Sequence, residues 1–173
     1  MSVDAISPVP PVIRLAGITD LPQIVGIYNE AVQQRFATAD LDVVSVEQRT
    51  AWFLDHDPDI LPIYIAEQQR VVMGWCSLSA YRPGRAALRS TAEISYYVRA
   101  DFRGRGVGTE LVRHAMKEAP RLGKRVLFGI LLERNTASIN LLKKCGFELW
   151  GRLPDVATIE GELVSHVYYG RKV

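Results

Sequence analysis

The chain has 173 residues and a formal net charge of +2, with 48% hydrophobic and 23% charged residues. This length and balance suit one globular domain with a proper core, and they exclude a disordered or strongly basic chain. We therefore expect no nucleic-acid partner. The longest apolar run, "VLFGILL" from Val126, is far shorter than the ~20 residues of a membrane helix, so no membrane partner is expected either.

The cysteines and the start of the chain bear on the cellular compartment. Cys76 and Cys145 are the only cysteines, and no Cys/His cluster accompanies them, so neither a disulfide framework nor a metal site is predicted. The opening "MSVDAISPVPPV" lacks the basic and apolar segments of a signal peptide. We expect a cytoplasmic protein with one domain over residues 1–173, of which residues 1–11 form a loose leader.

The first half of the chain predicts two helices between short strands. "VIRLA" is a strand, and Asp20 with Pro22 predicts the start of a helix whose apolar side chains share one face. Ser45 and Gln48 have the spacing of a capping box for a second helix. Two apolar strands, "LPIYIAE" and "VVMGWCSLS", then form a hairpin that turns at residues 68–70.

The second half alternates strands and helices. "TAEISYYV" (91–98) is a strand, and a helical pattern follows over 107–119. The run "RVLFGILLE" (125–133) predicts a central strand buried on both faces. Asn135 opens another helix, which Gly146 closes, and two strands finish the chain. This order predicts an α+β fold, a mixed sheet with helices on both faces.

A basic, glycine-rich loop, "ADFRGRGVG", joins the 91–98 strand to the next helix. Such a loop directs several backbone N–H groups at one point, where the helix dipole adds positive charge. We interpret it as a pyrophosphate-binding loop. A dinucleotide fold would need G-x-G-x-x-G in the first βα turn, and a nucleoside-triphosphate P-loop would need Gly-Lys-Ser/Thr. A glycine turn without a ligand remains an alternative.

Two signatures carry a family resemblance. Arg103-x-x-Gly106-x-Gly108 resembles the R/Q-x-x-G-x-G/A motif of the GNAT superfamily of N-acetyltransferases, and residues 135–147 resemble its second signature. "IYNEAV", "SVEQRTAWF" and "TAEISYYV" resemble its phosphinothricin or L-amino-acid N-acetyltransferase branch. The resemblance covers residues 12–153. It implies a GNAT fold, with a mostly antiparallel sheet of six to seven strands and about four helices, and acetyl-CoA as cosubstrate.

The resemblance also implies which residues hold acetyl-CoA. The glycine loop would bind the pyrophosphate, and main-chain groups of the 91–98 strand would pair with the pantetheine arm. The alternatives are a simple helix cap for Asn135, packing for Ser138 and a solvated helix face for Lys144. The expected cofactor-binding residues are Tyr96, Tyr97, Val98, Arg103, Gly104, Arg105, Gly106, Val107, Gly108, Thr109, Asn135, Ser138 and Lys144.

Glu93 is the expected catalytic residue. It lies among apolar strand residues, where a lone carboxylate is costly unless it is paired. It could act as the base for an amine nucleophile, or it could form an ion pair with Arg85 or Arg89. In the resembled branch this glutamate lies at the acceptor amine. Loop arginines there hold an acceptor carboxylate, which implies Arg82, Arg85 and Arg89 as substrate-binding residues; a solvated basic loop is the alternative.

The chain departs from the branch in two places. Leu142 stands where many relatives have Tyr or His near the leaving sulfur, and leucine donates no proton. Water, Tyr168 or His166 are the alternative proton donors. The segment from Thr158 onward also differs from the branch, which leaves the identity of the acceptor open.

The sequence therefore predicts an acetyl-CoA-dependent N-acetyltransferase. Its acceptor would be the amine of a small molecule, an amino acid or an analogue such as phosphinothricin or methionine sulfoximine, which attacks directly in a ternary complex. A protein N-terminal or lysine acetyltransferase and a non-catalytic acyl-CoA-binding regulator are the alternatives. By resemblance we also expect a homodimer.

Overall fold

The computed structural model describes residues 11–173, so the predicted leader lies outside the described residues except for its last position. None of the helices in this part of the chain has the length and hydrophobicity that a membrane span requires. The elements are β1 (Val12–Leu15), α1 (Leu21–Gln33), α2 (Val46–Leu54), β2 (Ile63–Gln68), β3 (Val71–Ala80), β4 (Thr91–Val98), α3 (Val107–Glu118), β5 (Val126–Leu132), α4 (Thr136–Lys144), β6 (Glu148–Ile159) and β7 (Glu162–Lys172). The predicted order of elements is confirmed.

The strands form one seven-stranded sheet in the order β1-β2-β3-β4-β5-β7-β6. The β4–β5 pair is parallel and the other neighbouring pairs are antiparallel. Helices α3 and α4 pack on one face, where Leu111 and Leu142 are fully buried. Helices α1 and α2 cover part of the other face, where Ile24 and Tyr28 pack with Trp75 of β3. The predicted mixed α+β fold is confirmed.

Strands β4 and β5 separate soon after they meet. They pair only where residues 91–93 lie beside residues 126–128. Farther along, β4 continues beside β3 as far as Val98, and β5 continues beside β7 as far as Leu132. The two strands therefore keep their outer partners while their facing edges diverge, which creates an opening inside the sheet.

Three local predictions are confirmed in detail. The Gln48 N–H donates to Ser45 Oγ (3.2 Å) and the Ser45 N–H to Gln48 Oε1 (2.7 Å), which completes the capping box. Gly146 follows α4 with φ +78°, the left-handed conformation of a C′ residue. Gln69 and Arg70 both have positive φ, as a two-residue hairpin turn requires.

The predicted start of α1 at Asp20 is confirmed, but the prediction that Asp20 caps the helix with its side chain is wrong. Asp20 precedes α1, but its side chain makes no cap bond to that helix. Its carboxylate instead accepts two hydrogen bonds from the Arg14 guanidinium (2.7 and 3.0 Å) and one from the Gly17 N–H (2.7 Å). A bidentate charged pair outcompetes a single cap bond, and it ties β1 to the start of α1.

The prediction that β5 is buried on both faces is also wrong. Leu127 and Gly129 are buried against α3 and α4, whereas Phe128 and Ile130 on the other face are only half-buried. Helices α1 and α2 pack over β2, β3 and β4, so among the described residues no helix covers the face of β5 that carries Phe128 and Ile130. The apolar run therefore lines a partly open surface.

Candidate active site

Helix α1 fixes the position of the glycine loop. The Glu30 carboxylate accepts a hydrogen bond from the Ala100 N–H (2.8 Å). Arg103 donates to the side chain of Gln34 (2.7 Å) and to the carbonyl oxygen of Val98 (3.0 Å). Arg103, expected at the phosphate, therefore holds the loop against α1 and β4 with two of its nitrogens.

The three glycines of the loop have two different physical roles. Gly104 and Gly106 have φ of +72° and +84°, a conformation that strains any residue with a Cβ atom. Gly108 lies against α4, and a Cβ there would come within 2.8 Å of Leu141 Cδ1. Two glycines therefore shape the loop, and the third lets α3 approach α4 closely.

The main chain of this loop is rich in free donors. The N–H groups of residues 104–109 donate no hydrogen bond to any group within residues 11–173. They surround the N-terminus of α3, where the helix dipole is positive, and Arg105 lies exposed beside them over the Phe102 ring. A Cβ at Gly104 or Gly106 would meet no atom within 4 Å, so both backbones are open to a ligand. The loop fits a diphosphate group.

A cavity of about 350 Å³ lies where the end of β4 faces the end of α1, the glycine loop and the start of α4. The Tyr96 hydroxyl donates to the Ser138 carbonyl of α4 (3.1 Å), which connects the two sides of the opening. Asn135 is buried and caps α4, since its Oδ1 accepts from the Ser138 N–H (3.2 Å). The predicted residues that line the cavity are Tyr96, Tyr97, Val98, Arg103, Gly104, Asn135 and Ser138.

The main chain of β4 alternates between its two neighbours. The Arg99 N–H donates to the Met73 carbonyl (2.9 Å), so the N–H and C=O groups of Val98 and Tyr96 point away from β3 and toward the opening. Those of Tyr97 point toward β3. Tyr97 therefore reaches the cavity with its side chain, which differs from the expected main-chain contact.

Two further predicted positions lie on α4. Lys144 is exposed. It lies seven residues after Ala137 and three after Leu141, so it shares their helix face, which is on the side of the glycine loop. Leu142 is fully buried and packs against Gly129 of β5, where a Cβ would lie 2.5 Å from Leu142 Cδ1. Leu142 is therefore a core residue with no contact to the cavity.

Glu93 lies on the face of β4 opposite α3 and α4. In the sheet register its neighbours are Ser79 of β3 and Phe128 of β5. Its carboxylate is half-buried and forms no hydrogen bond or ion pair with any described residue, so the ion pair with Arg85 or Arg89 is not formed. Burial raises the pKa of Glu93 above that of an ordinary glutamate.

The pattern "DHDPD" predicts only a turn for His56, which lies near Glu93 in the structure. His56 Nδ1 donates to the Trp52 carbonyl (2.7 Å), which leaves Nε2 to accept from the hydroxyl of Ser79 (3.3 Å), the cross-strand neighbour of Glu93. Burial lowers the pKa of His56 and favours this neutral form. The i, i+4 spacing from Trp52 was the one signal for the position of His56 in the sequence. The contact with Ser79, 23 positions away, had no local signal.

The loop arginines and the β7 residues lie outside the opening. Tyr168 and His166 are half-buried on β7, on the sheet face of Glu93, and neither lines the cavity. A second cavity shares no lining residue with the first. The Arg82 guanidinium lies over the Tyr81 ring (5.6 Å), which contacts Phe128 near Glu93 (4.9 Å). The arginines that line the second cavity are Arg82, Arg85 and Arg89.

In this α+β domain a parallel strand pair separates beside a loop of free N–H groups. This arrangement is typical of a domain that binds a nucleotide with a long arm. Residues 22–147 match the family model described as "Acetyltransferase (GNAT) family". The chain belongs to the GNAT family of acetyltransferases.

Relatives and solved structures agree with this assignment. The L-methionine sulfoximine/L-methionine sulfone acetyltransferase of Pseudomonas aeruginosa is 37% identical over 145 residues, 83% of this chain and 84% of the relative. The L-amino acid N-acyltransferase MnaT of Escherichia coli is 33% identical, over 84% of each chain. A phosphinothricin acetyltransferase from Sinorhizobium meliloti, solved in complex with acetyl-CoA, has a TM-score of 0.89 at 27% identity, covering 95% of this chain and 89% of its own. The predicted GNAT fold, N-acetyltransferase activity and acetyl-CoA cosubstrate are confirmed.

The unpaired Glu93 makes a prediction about stability. Its raised pKa means that the folded protein holds the proton more tightly than the unfolded chain does. The stabilisation is complete below the pKa of an unfolded glutamate, about 4.3, and is lost as the pH rises through the higher folded pKa. At pH 7 the carboxylate therefore costs stability, and Glu93→Gln should raise the Tm there but not at pH 4.

Thermal unfolding followed by circular dichroism at several pH values measures this effect. The control is Glu148→Gln, because Glu148 is an exposed glutamate on another strand, β6. A Tm that falls at pH 7 in Glu93→Gln would show that the carboxylate stabilises the fold.

Proposed function

We propose that the protein acetylates the α-amine of a free amino acid or an amino-acid analogue of the phosphinothricin and methionine sulfoximine type. The observation that carries the proposal is the juxtaposition of the free N–H groups of residues 104–109 with the opening in the sheet. The names of the Pseudomonas aeruginosa and Sinorhizobium meliloti proteins support this acceptor class. We further propose that the chain acts as one domain in the cytoplasm.

The proposed cofactor contacts follow the surfaces that remain free. The N–H groups of residues 104–109 would hold the diphosphate, with Arg105 and Lys144 adding positive charge at its edge. The N–H and C=O groups of Tyr96 and the N–H of Val98, which point into the opening, would pair with the pantetheine arm. Asn135 would contribute its amide NH₂, since its oxygen already caps α4. Tyr97 and Ser138 would complete the wall.

Glu93 is the proposed general base. Bound acetyl-CoA supplies an acetyl group activated as a thioester. A carboxylate whose pKa is raised by burial is a stronger base than an exposed one, and it is better matched to taking a proton from an amine, directly or through water. The Val98 N–H, which points into the opening, is the proposed donor to the acetyl oxygen, where the loss of one donor typically costs about 2.7–4 kcal/mol of the barrier.

The loop arginines are proposed to attract the acceptor. Arg82, Arg85 and Arg89 have no acidic partner among the described residues, so their charge is not neutralised by the chain. A cluster of positive charge near an entrance raises the local concentration of anionic ligands. Arg82 is best placed, because Tyr81 connects it to the neighbourhood of Glu93.

The first test concerns the glycine loop. Gly106→Glu should weaken acetyl-CoA binding by about 100-fold or more, because like charges about 5 Å apart near a protein surface repel by roughly 3 kcal/mol. Isothermal titration with acetyl-CoA measures the Kd. Gly161→Glu is the matched control, since Gly161 also has φ +84° and open space around it but lies in the β6–β7 turn. Equal affinity in the two variants would contradict the assignment of the loop.

The second test concerns the reaction. We expect release of free thiol from acetyl-CoA with some member of a panel of amino acids, methionine sulfoximine and phosphinothricin. Glu93→Gln should lower kcat by roughly 10²-fold or more at neutral pH and leave the Kd for acetyl-CoA unchanged. Thiol release with a peptide alone would favour a protein acceptor, and tight binding without release would favour a regulator. Unchanged kcat would remove Glu93 from the mechanism.

We propose that two copies of the chain associate through the β6–β7 hairpin. Strand β6 lies at the edge of the sheet, and it exposes Leu149, Leu153 and Val156. Light scattering should give about twice the chain mass of 19.4 kDa. Val156→Glu should shift the mass to that of the monomer, whereas Leu54→Glu, at an even more exposed apolar position on α2, should not. A monomeric wild type would overturn this proposal.

A further inference from the structure

Arg49 of α2 is held by two aromatic rings. Its guanidinium carbon lies 4.5 Å from the centre of the Tyr28 ring and 4.8 Å from that of Trp52. The residue is half-buried, yet its side chain forms no hydrogen bond and no ion pair within residues 11–173. A guanidinium carries five N–H donors, and those of Arg49 are positioned without a partner among the described residues.

Other arginines of the chain show what a structural role looks like. Arg14 contacts the carboxylates of Asp20 and Glu67, and Arg152 makes two bonds of 2.7 Å to Glu133. Ring contacts cover the face of a guanidinium and leave its edge of donors free. Arg49 therefore presents the geometry that binds a carboxylate with two parallel hydrogen bonds.

The rings that hold Arg49 are connected to the cavity through Tyr97. Tyr28 packs edge-on against Tyr97 (5.1 Å), and Trp52 packs against Trp75 (5.6 Å). Tyr97 is itself a wall of the cavity in the opening. Burial raises the pKa of Tyr97, and the nearby charge of Arg49 partly opposes that rise, as expected if the guanidinium lies close to this hydroxyl.

Arg49 and Glu93 share one side of the sheet. Residues 93 and 97 point to the same face because they are four apart on a strand, and that face carries the aromatic rings of α1 and α2. An α-amino acid has one positive or nucleophilic end and one carboxylate. The face therefore offers a base for the first and an unpaired cation for the second.

We propose that Arg49 binds the carboxylate of the amino-acid acceptor, and so determines the selectivity for free amino acids over other amines. The inference rests on the proposed function. The loop arginines line a separate cavity, and Arg49 would hold the carboxylate in addition to any contact that they make with the acceptor.

The test compares the best amino acid of the thiol-release panel with its own carboxamide, which keeps the amine and side chain but lacks the negative charge. Arg49→Met should lower kcat/KM for the amino acid by roughly 10- to 100-fold, the value of a hydrogen bond to a charged group. It should leave the carboxamide unchanged. Each compound is compared between wild type and variant, so the different basicities of the two amines cancel.

The controls separate recognition from folding. Arg121→Met removes an exposed arginine that forms an ion pair with Glu118 at the end of α3, and both substrates should be unaffected. Arg49→Lys keeps the charge but not the two-donor edge, and it should give a smaller loss that is again confined to the amino acid. Unchanged acetyl-CoA affinity shows that a variant is folded. If Arg49→Met does not bind acetyl-CoA, Arg49→Lys is used for the comparison of the amino acid with its carboxamide.

The outcomes are distinct. Equal losses for the amino acid and its carboxamide would show that Arg49 only supports the aromatic rings. Equal use of both compounds by the wild type would overturn carboxylate recognition while leaving the proposed acetylation of small amines in place. No thiol release with any free amine would instead contradict the proposed function itself.

Discussion

The separation of β4 from β5 is the constraint on which the site depends. A strand edge carries N–H and C=O groups that need partners, and here the facing edges diverge after residues 91–93 meet 126–128. The sheet tolerates the gap because β4 remains paired with β3 along its length and β5 with β7. The N–H and C=O groups of Tyr96 and the N–H of Val98 are thus held rigidly without a partner in the sheet, and they are available to a ligand with an amide-containing arm; the Val98 C=O already accepts from Arg103.

Helix α1 connects the two parts of the site. Its C-terminal half holds the glycine loop, through Glu30 at Ala100 and Gln34 at Arg103. Its middle carries Tyr28, which contacts both Tyr97 and Arg49 on the sheet face of Glu93, here called the acceptor face. The same helix therefore sets the position of the diphosphate loop relative to the acceptor face, so neither can move independently of the other.

Local signals in the sequence predicted much of this structure, and long-range contacts explain the errors. The β4 boundaries and the Ser45–Gln48 cap depend on neighbouring residues and were predicted correctly. Asp20 was misassigned because its partner Arg14 belongs to another element. The glycine loop was recognised from the spacing of its residues. Only the structure shows that Gly106 is required by its backbone conformation and Gly108 by its packing against α4. Arg49 lies within the block "SVEQRTAWF", but its contacts with rings from two helices are visible only in the structure.

Two carboxylates of the chain illustrate how the fold separates structure from chemistry. Asp20 is buried and receives a bidentate guanidinium, which lowers its pKa and keeps it charged. Glu93 is half-buried without a partner, and burial alone raises its pKa. Unpaired Arg49 and the free N–H groups of the glycine loop follow the same pattern as Glu93. The stability given up at such groups, where a ligand could complete them, is the physical signature of the site.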